Sequence, residues 1–266
     1  MATAGIVLCA DDYGIAPGVS RAIRELLDRG RLSATSAMVV SPDFAAEGPR
    51  LSAYAGRADL GLHLTLTQDR PLGRLMSAAY TGRLDRQAMA SAVENQVAEF
   101  TRVIGRPPDF IDGHQHVHLL PGVREPVVAV AGRIGAYVRL TDEPLASALT
   151  CGISPGKAAF LSLLSRPLAR EASKSCIAHN RGFRGARSFT EAAPYRALFR
   201  RMIAGAKAGC LVMCHPGLVD AALASRDPVT ESRVDEYRYL LSDEFPADLA
   251  TANLRLARLK DALAPG

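Results

Sequence analysis

Three histidines, His114, His116 and His118, alternate with other residues in the segment 112–118. In an extended segment, side chains two residues apart point to the same face, so the three imidazoles would be neighbours. Unpaired imidazoles stacked in this way add little stability, whereas metal binding or proton transfer gives them a role. No Cys pair accompanies them as in a zinc finger, and the run is not the helical HExxH motif. The segment therefore predicts a metal or proton-transfer site.

Two adjacent carboxylates, Asp11 and Asp12, directly follow the apolar residues 6–10. At the end of a buried strand they would repel each other and lose hydration unless a cation compensates them. One of them could instead cap the helix that begins near Pro17, but both stand too early in the chain to cap it directly. Because successive side chains of a strand point in opposite directions, we expect one carboxylate to bind a metal ion and the other to face a bound water.

Two more histidines lie on or just after apolar strands. His63 belongs to the alternating segment 61–67, in which leucines take one face and His63 shares the other with two threonines. His215 follows the apolar residues 211–214 and precedes a Pro-Gly pair that turns the chain. Either histidine alone is explained equally well by a structural hydrogen bond. With the two aspartates and the segment 112–118, they predict one shared site.

Two further features are candidates for supporting that site. Arg139 ends a predicted strand and could steady Asp11 by an ion pair, or could form an ordinary surface pair. The predicted loop 180–188 is basic and carries one aromatic residue. We expect it to act as a substrate lid in which Phe183 stacks on a sugar ring and Arg184 reaches hydroxyl groups. The alternative is a solvated connection without a role in binding.

Short apolar runs alternate with helical patterns along the chain. The predicted strands cover residues 6–10, 36–40, 60–66, 110–117, 137–140, 176–179 and 211–214, and the predicted helices cover residues 17–29, 44–54, 86–104, 123–134, 157–168, 191–208 and 248–263. This alternation predicts parallel strands joined by crossover helices. No linker divides the chain, so we predict one α/β domain over residues 1–266, an irregular or incomplete (β/α) barrel that is TIM-barrel-like, with outer helices. Active sites of such folds form at the carboxyl ends of the strands.

The composition excludes several classes of protein. The chain has 266 residues, of which 48% are hydrophobic and 22% charged, as in ordinary globular proteins. The net charge of +5 is spread along the chain, which argues against a nucleic-acid partner. Five cysteines without a CxxC pair, and an apolar start too short for a signal peptide, favour a cytoplasmic protein. No stretch approaches the roughly 18 apolar residues of a transmembrane segment.

Four motifs, in this order, resemble those of the YdjC-like carbohydrate deacetylases. They are Ala-Asp-Asp-Tyr-Gly at 10–14, Gly-Leu-His-Leu-Thr-Leu-Thr at 61–67, Asp-Gly-His-Gln-His-Val-His at 112–118 and Cys-His-Pro-Gly at 214–217. This family includes chitooligosaccharide deacetylases and deacetylases associated with hopanoid biosynthesis. The region 227–242 also resembles the family's C-terminal stretch. Residues 145–187 resemble it little, and this is the region expected to line the sugar pocket.

The resemblance implies a distorted (β/α) barrel that holds one divalent metal ion, Mg or Zn. Carried over by motif, the metal ligands are Asp12, His63 and His114. His116 is the runner-up ligand, because in an extended segment it would share the face of His114. Asp11 matches the general base, and His215 matches a candidate general acid. The implied reaction is hydrolysis of the N-acetyl group of an acetylated amino sugar or a glycolipid-linked sugar, with release of acetate. The residues expected to bind substrate or support the site are His116, Arg139, Phe183 and Arg184.

The same residues are also compatible with three other functions. Two His and one carboxylate also form the metal site of non-haem Fe(II) oxygenases, although those sites usually lie on all-β scaffolds and need no second carboxylate. A non-catalytic carbohydrate-binding protein of the same fold would be expected to lose Asp11 or His215. A metal-dependent phosphoesterase would favour more ligands and often two metals. The expected partner is a carbohydrate or glycolipid substrate, and the sequence leaves a homodimer open.

Overall fold

A parallel sheet forms the centre of the protein. The computed structural model describes residues 3–143, 155–189 and 193–264. Its strands are β1 (Ala4–Tyr13), β2 (Ala34–Ala37), β3 (Asp59–Leu64), β4 (Phe110–Gly113), β5 (Tyr137–Val138), β6 (Phe183–Arg184), β7 (Leu211–Cys214) and β8 (Leu254–Leu256). The order across the sheet is β5-β4-β3-β2-β1-β7-β6, and β8 pairs with the first residues of β1. The predicted barrel-like α/β fold with parallel strands is confirmed.

Helices surround the sheet. They are α1 (Pro17–Asp28), α2 (Phe44–Glu47), α3 (Leu72–Tyr80), α4 (Arg86–Ile104), α5 (Arg124–Ile134), α6 (Pro155–Lys174), α7 (Tyr195–Ile203), α8 (Ala221–Arg226), α9 (Glu231–Leu241), α10 (Glu244–Thr251) and α11 (Leu259–Leu263). Short 3₁₀ helices cover Gly48–Tyr54 and His114–Leu119. None of the helices in the described ranges combines the length and apolar character needed to cross a membrane.

The long helix α4 shows how local sequence sets these elements. The Asp85 side chain accepts the Ala88 N–H and caps the first turn. Gly105 ends the helix in the left-handed conformation, with φ of 83°. Between these ends, the buried apolar side chains recur at helical spacing and form one face, namely Val93, Val97, Phe100 and Ile104.

Side chains on the two faces of the strands fill separate layers. Leu60, Leu62 and Leu64 of β3 join the large core that contains the helices. The inward residues form a smaller cluster within the barrel, which includes Phe110 of β4. Gly61 makes room for it, because a Cβ there would lie 2.3 Å from the Phe110 ring. This packing fills the barrel beneath the carboxyl ends of the strands and leaves those ends for polar residues.

Backbone and side-chain contacts bridge the gap between β5 and β6, the two ends of the strand order. Val138 and His179 form a single parallel bridge. Beside it, the buried Asn180 side chain accepts the Leu140 N–H at 2.8 Å and donates to the Leu140 carbonyl at 3.0 Å, as a strand backbone would. The segment 176–179 is therefore a bridge and not the predicted strand.

Some predicted elements differ from the structure. Residues 248–263 are not one helix, because they contain the end of α10, all of β8 and all of α11. The predicted strand 110–117 ends at Gly113. The predicted helix 191–208 is shorter in the structure, and residues 191–192 lie outside the described part of the chain. Helix α3 occupies a stretch in which the pattern predicts no helix. A short apolar segment fits both the helical and the strand periodicity, so tertiary packing decides whether it forms a helix or a strand.

Candidate metal and catalytic site

The carboxyl ends of the parallel strands bring the candidate residues to one edge of the sheet. Ala10 is level with Cys214 across the β1–β7 pair, and His63 is level with Asp112 across the β3–β4 pair. One pocket of about 580 Å³ opens at this edge. Its lining includes Asp11, Asp12, His63, His114, His116 and His215.

A bulge in β1 places both carboxylates in this pocket. The register between β1 and β2 shifts between Ala10 and Tyr13, and Asp12 adopts a left-handed backbone with φ of 67°. A bulge re-aims a side chain that would otherwise point to the opposite face. Asp11 and Asp12 therefore line the same pocket instead of alternating, and the strained backbone at Asp12 is of the kind found at functional sites.

Asp12, His63 and His114 bring one oxygen and two nitrogen donors together. Asp12 Oδ1 lies 3.2 Å from His63 Nε2 and 3.2 Å from His114 Nδ1. One donor atom from each residue lies within 4.8 Å of the other two. A metal bound at roughly 2.0–2.2 Å holds neighbouring ligand atoms about 3.0–3.5 Å apart. The donor set fits one divalent cation and would leave coordination positions for water and substrate.

Asp112 orients the first imidazole of this donor set. Its Oδ1 lies 2.7 Å from His63 Nδ1, and the Ser36 hydroxyl lies 3.1 Å from the same nitrogen. A hydrogen bond at Nδ1 fixes the ring and leaves Nε2 for a cation. Sequence reasoning did not single out Asp112. The available signal was its place at the end of a strand, directly before the histidine run.

Arg139 is fully buried behind the carboxylates. Its Nη1 donates to Asp11 Oδ2 at 2.7 Å, and its Nη2 donates to Asp11 Oδ1 at 2.6 Å. Nη2 also lies 2.5 Å from Asp112 Oδ2 and 3.0 Å from Cys9 Sγ. Cys9, Asp11 and Asp112 are spaced like a second set of metal ligands, but the guanidinium supplies the cation there. The expected pair between Arg139 and Asp11 is present, as a buried bidentate contact.

Burial and ion pairing shift the pKa values of the site in opposite directions. Burial acts to raise the pKa of Asp11 and of Asp12, but the neighbouring arginines and histidines together outweigh it, so both pKa values are lowered and both carboxyls are ionised. Burial acts to lower the pKa of His63, but the surrounding carboxylates raise it to about 10. Without a cation, His63 therefore carries part of the positive charge that balances the carboxylates.

The prediction that the three neighbouring histidines share one face is wrong. The strand ends at Gly113, and His114–Leu119 form a 3₁₀ turn in which Gln115 and His116 have φ of 53° and 61°. Because this backbone is not extended, the alternation of side chains expected for a strand does not apply. Only the ring of His114 joins the donor group.

The other two histidines of the run have different surroundings. His116 lines the pocket, and its Nδ1 is buried without a hydrogen-bond partner among the described residues. Its ring meets the Phe183 ring edge-to-face at 6.0 Å. His118 is fully buried, and its Nε2 lies 2.9 Å from the Arg139 carbonyl oxygen. His116 remains a candidate for substrate contact, whereas His118 supports the backbone that carries Arg139.

The expected lid residues are packed inside the protein. Phe183 and Arg184 form β6, which pairs with β7. Phe183 is 1% exposed, so its ring is not free to stack on a sugar. The buried Arg184 pairs with Glu143 at 3.0 Å. Neither residue lines the pocket. The lid prediction is therefore wrong for both, because these two residues pair with β7 and are buried.

Residues after β7 complete the pocket, and sequence reasoning missed them. Arg233 on α9 donates from Nη2 to Asp12 Oδ2 at 2.6 Å and to Asp227 Oδ2 at 2.5 Å. Glu236, one turn later, accepts the backbone N–H of His215 at 2.5 Å. The available signal was the cluster of charges in 227–236, but a charged helix face usually points to solvent.

His215 lies at the end of β7, as expected. Its ring meets the Phe189 ring edge-to-face at 5.2 Å. Burial lowers the pKa of His215, although Asp12 and Asp11 act to raise it. The histidine is therefore neutral in the resting site at pH 7. Phe189, which lies one residue beyond the predicted loop 180–188, lines the pocket, whereas Phe183 does not.

Two proteins named chitooligosaccharide deacetylase are similar to this chain in sequence. The Serratia marcescens protein is 28% identical over 270 aligned positions, which cover 96% of this chain and 98% of that protein. The Yersinia pestis (strain Pestoides F) protein is 36% identical over 142 positions, which cover 47% of this chain and 55% of that protein.

Solved structures share the fold. A candidate cellobiose-phosphate cleavage protein from Enterococcus faecalis V583 matches 98% of this chain and 99% of its own, with a TM-score of 0.71 and 19% identity. A peptidoglycan N-acetylglucosamine deacetylase matches 97% of this chain and 87% of its own, with a TM-score of 0.55 and 10% identity. The family model for YdjC-like proteins matches residues 5–251. The four motifs, their convergence at one edge of the sheet and this match together show that the chain belongs to the YdjC-like protein family.

Proposed function

We propose that this protein is a divalent-metal-dependent deacetylase that hydrolyses the N-acetyl group of an acetylated amino sugar. The observation that carries the proposal is the donor set of Asp12, His63 and His114 beside a second carboxylate, Asp11, in one pocket. The relatives named chitooligosaccharide deacetylases support the substrate class. A divalent cation in this set would polarise the acetyl carbonyl and lower the pKa of a bound water.

In this proposal, Asp11 is the general base. The two nitrogens of Arg139 hold both of its oxygens and keep the carboxylate ionised. An ionised, fixed carboxylate accepts a proton from the attacking water without first reorienting. Arg139 is a positioning residue because it acts through Asp11.

His215 is the proposed general acid that protonates the leaving amine of the sugar. Its lowered pKa makes the imidazolium a good proton donor once it forms. His215→Ala should slow the hydrolysis of N-acetyl sugars more than that of activated acyl esters, because a good leaving group needs no proton. Equal losses on both substrates would assign His215 to substrate binding instead.

Apolar side chains around the pocket favour a substrate with an apolar part. The lining includes Leu72 and Met76 of α3, together with Leu161 and Leu164 of α6. Phe160, also on α6, lines the same pocket and is 49% exposed. An apolar wall beside the donor set suits the aglycone of a glycolipid-linked sugar, whereas an oligosaccharide chain needs polar partners. We infer that a glycolipid-linked N-acetyl amino sugar is a better substrate than a free oligosaccharide.

Acetate release tests both the proposed deacetylase activity and the inferred preference for a glycolipid-linked sugar. The protein is chelated, restored with Mg²⁺ or Zn²⁺, and assayed on N-acetylglucosamine, on chitooligosaccharides and on N-acetylglucosamine linked to an alkyl chain. The proposal predicts metal-dependent release, with kcat/KM highest for the alkyl glycoside. No release from any substrate would refute the deacetylase. A preference for the longer free oligosaccharides would refute only the glycolipid inference.

The assay also separates the rival functions. A non-haem Fe(II) oxygenase with the same donor set would consume oxygen and release no acetate. A carbohydrate-binding protein without catalysis would bind the sugar and release nothing. Asp11, paired with Arg139 beside the donor set, is the observation that favours hydrolysis over both.

A further inference from the structure

One face of α9 carries two buried charged residues that reach the two sides of the site. Arg233 and Glu236 are 2% and 1% exposed, and a separation of three residues places them on the same helix face. Charged residues at this level of burial need partners. Asp12 and Asp227 supply the partners of Arg233, and Arg187 supplies an ion-pair partner for Glu236 at 2.6 Å.

Helix α9 is fixed to the turn that carries His215. Glu236 accepts the His215 N–H at 2.5 Å, and the Gly217 N–H donates to the Arg233 carbonyl at 3.0 Å. A Cβ at Gly217 would lie 3.4 Å from the Arg233 side chain. These contacts determine where the Arg233 side chain lies with respect to the pocket.

Arg233 divides the two oxygens of Asp12 between different partners. Oδ2 accepts from Arg233 Nη2 at 2.6 Å, whereas Oδ1 faces both His63 Nε2 and His114 Nδ1. The same Nη2 is held from the other side by Asp227 Oδ2, and Nε donates to the Val229 carbonyl. Oδ2 is therefore turned toward Arg233, and Oδ1 is the oxygen that faces the two imidazole donors.

We infer that Arg233 is a positioning residue that restricts Asp12 to a single metal-ligating oxygen and so keeps a coordination position open for substrate. The inference rests on the proposed metal-dependent function. Arg233 also weakens metal binding, because its positive charge lies close to the donor set and repels a cation. Removing Arg233 should therefore strengthen metal binding and weaken catalysis, which loss of structure alone would not do.

The test uses Co²⁺, whose visible absorption reports coordination number. For Arg233→Met, we expect a weaker and shifted Co²⁺ band, because a second Asp12 oxygen enters the coordination sphere. The Kd for Co²⁺ should tighten roughly tenfold, since a nearby positive charge is lost. The kcat should fall by about 10- to 100-fold, as is typical when a group that orients a metal ligand is removed.

The control is an arginine of the opposite edge of the sheet. Arg258 pairs with Asp59, the first residue of β3, at 2.7 Å. Arg258→Met also removes a partly buried ion pair, and should leave the Co²⁺ band, the Kd and kcat unchanged. Should Arg233→Met fail to fold, Arg233→Gln removes the same positive charge but keeps an amide donor for Asp12, and should tighten the Kd in the same direction with a smaller change of the band.

The outcomes separate this inference from the proposed function. An unchanged Co²⁺ band in the folded variant, or a weaker Kd, would overturn the role of Arg233. Wild-type protein that binds no Co²⁺ and releases no acetate would instead overturn the metal-dependent deacetylase itself. Wild-type activity together with a tightened Kd and a lowered kcat in the variant supports both.

Discussion

At the scale of residues, the site is a network in which each buried charge has a partner of opposite sign. Arg139 compensates Asp11 and Asp112, and Arg233 compensates Asp12. Breaking one partner of a buried pair is costly because it leaves an uncompensated charge. Substitutions here should therefore preserve shape, so that a loss of function is not confused with a loss of folding.

The two neighbouring aspartates have separable roles in the proposed reaction. Asp11→Asn should retain metal affinity and lower kcat by roughly 10²- to 10⁴-fold, because the amide cannot accept the proton. Asp12→Asn should instead weaken metal binding. Calorimetric metal titration and acetate release on both variants measure the difference. Equal metal loss in the two variants, with full turnover of Asp11→Asn when metal is restored, would contradict this division.

His118 should make the protein less stable in acid. Burial lowers the pKa of His118 to about 4, against about 6.5 in an unfolded chain. Because the folded pKa is the lower one, its stabilising contribution is present above pH 6.5 and is lost as the pH falls toward 4. Linkage gives a loss of about 2 kcal/mol between pH 7 and pH 5.

Urea unfolding of wild type and His118→Gln at both pH values measures this loss. A glutamine amide can still donate to the Arg139 carbonyl but does not titrate. The free energy of unfolding of the variant should therefore fall less between the two pH values. Identical losses would show that His118 is not the group responsible.

At the scale of elements, the segment around β6 has a structural half and a pocket half. Phe183 and Arg184 face the interior, whereas Gly185, Arg187 and Phe189 line the pocket. Gly185 permits the close approach of β6 to β7, since a Cβ there would lie 2.3 Å from the Met213 carbonyl oxygen and φ is +102°. The segment is therefore part of the sheet and not a free lid.

Substituting the two phenylalanines should separate these halves. Phe183→Ala should lower the free energy of unfolding by about 3–5 kcal/mol, because it leaves a cavity in the barrel interior. Phe189→Ala should change stability little and raise KM about three- to tenfold, because a pocket aromatic contact is lost. Chemical unfolding and steady-state kinetics check both. A raised KM with normal stability in Phe183→Ala would restore the lid interpretation.

At the scale of the whole molecule, the two edges of the sheet have different tasks. The carboxyl edge carries the site, and the amino edge joins distant parts of the chain. There, the buried Asp59 accepts from Arg258 Nε at 2.7 Å, from the Leu259 N–H at 2.8 Å and from the Tyr137 hydroxyl at 3.3 Å. One carboxylate thus joins β3, β5 and the C-terminal helix α11.

Stability and activity should therefore separate between the edges. Asp59→Asn replaces one acceptor oxygen by an NH₂ group, which cannot accept hydrogen bonds from the three donors around it. The substitution should lower the free energy of unfolding by about 2–4 kcal/mol. The kcat of the folded fraction should be unchanged, since the pocket lies at the other edge. Glu99→Gln, which removes an exposed pair with Arg102, serves as the control and should cost less than about 1 kcal/mol. A specific loss of kcat in Asp59→Asn would refute this separation.

The sequence by itself determined the parallel α/β class and the strands whose ends carry Asp11, Asp12, His63 and His215. Those inferences depend on local periodicity and on the motifs, which are properties of consecutive residues. Because the ends of parallel strands meet at one edge, predicting the strands was enough to predict that these side chains converge.

Only the tertiary structure decided which groups touch. The turn after Gly113 separated His114 from its two neighbours, and strand pairing buried Phe183. The contact of Arg233 with Asp12 joins residues 221 positions apart. No local pattern encodes such a contact, because it arises when distant elements pack and a buried charge must find its partner.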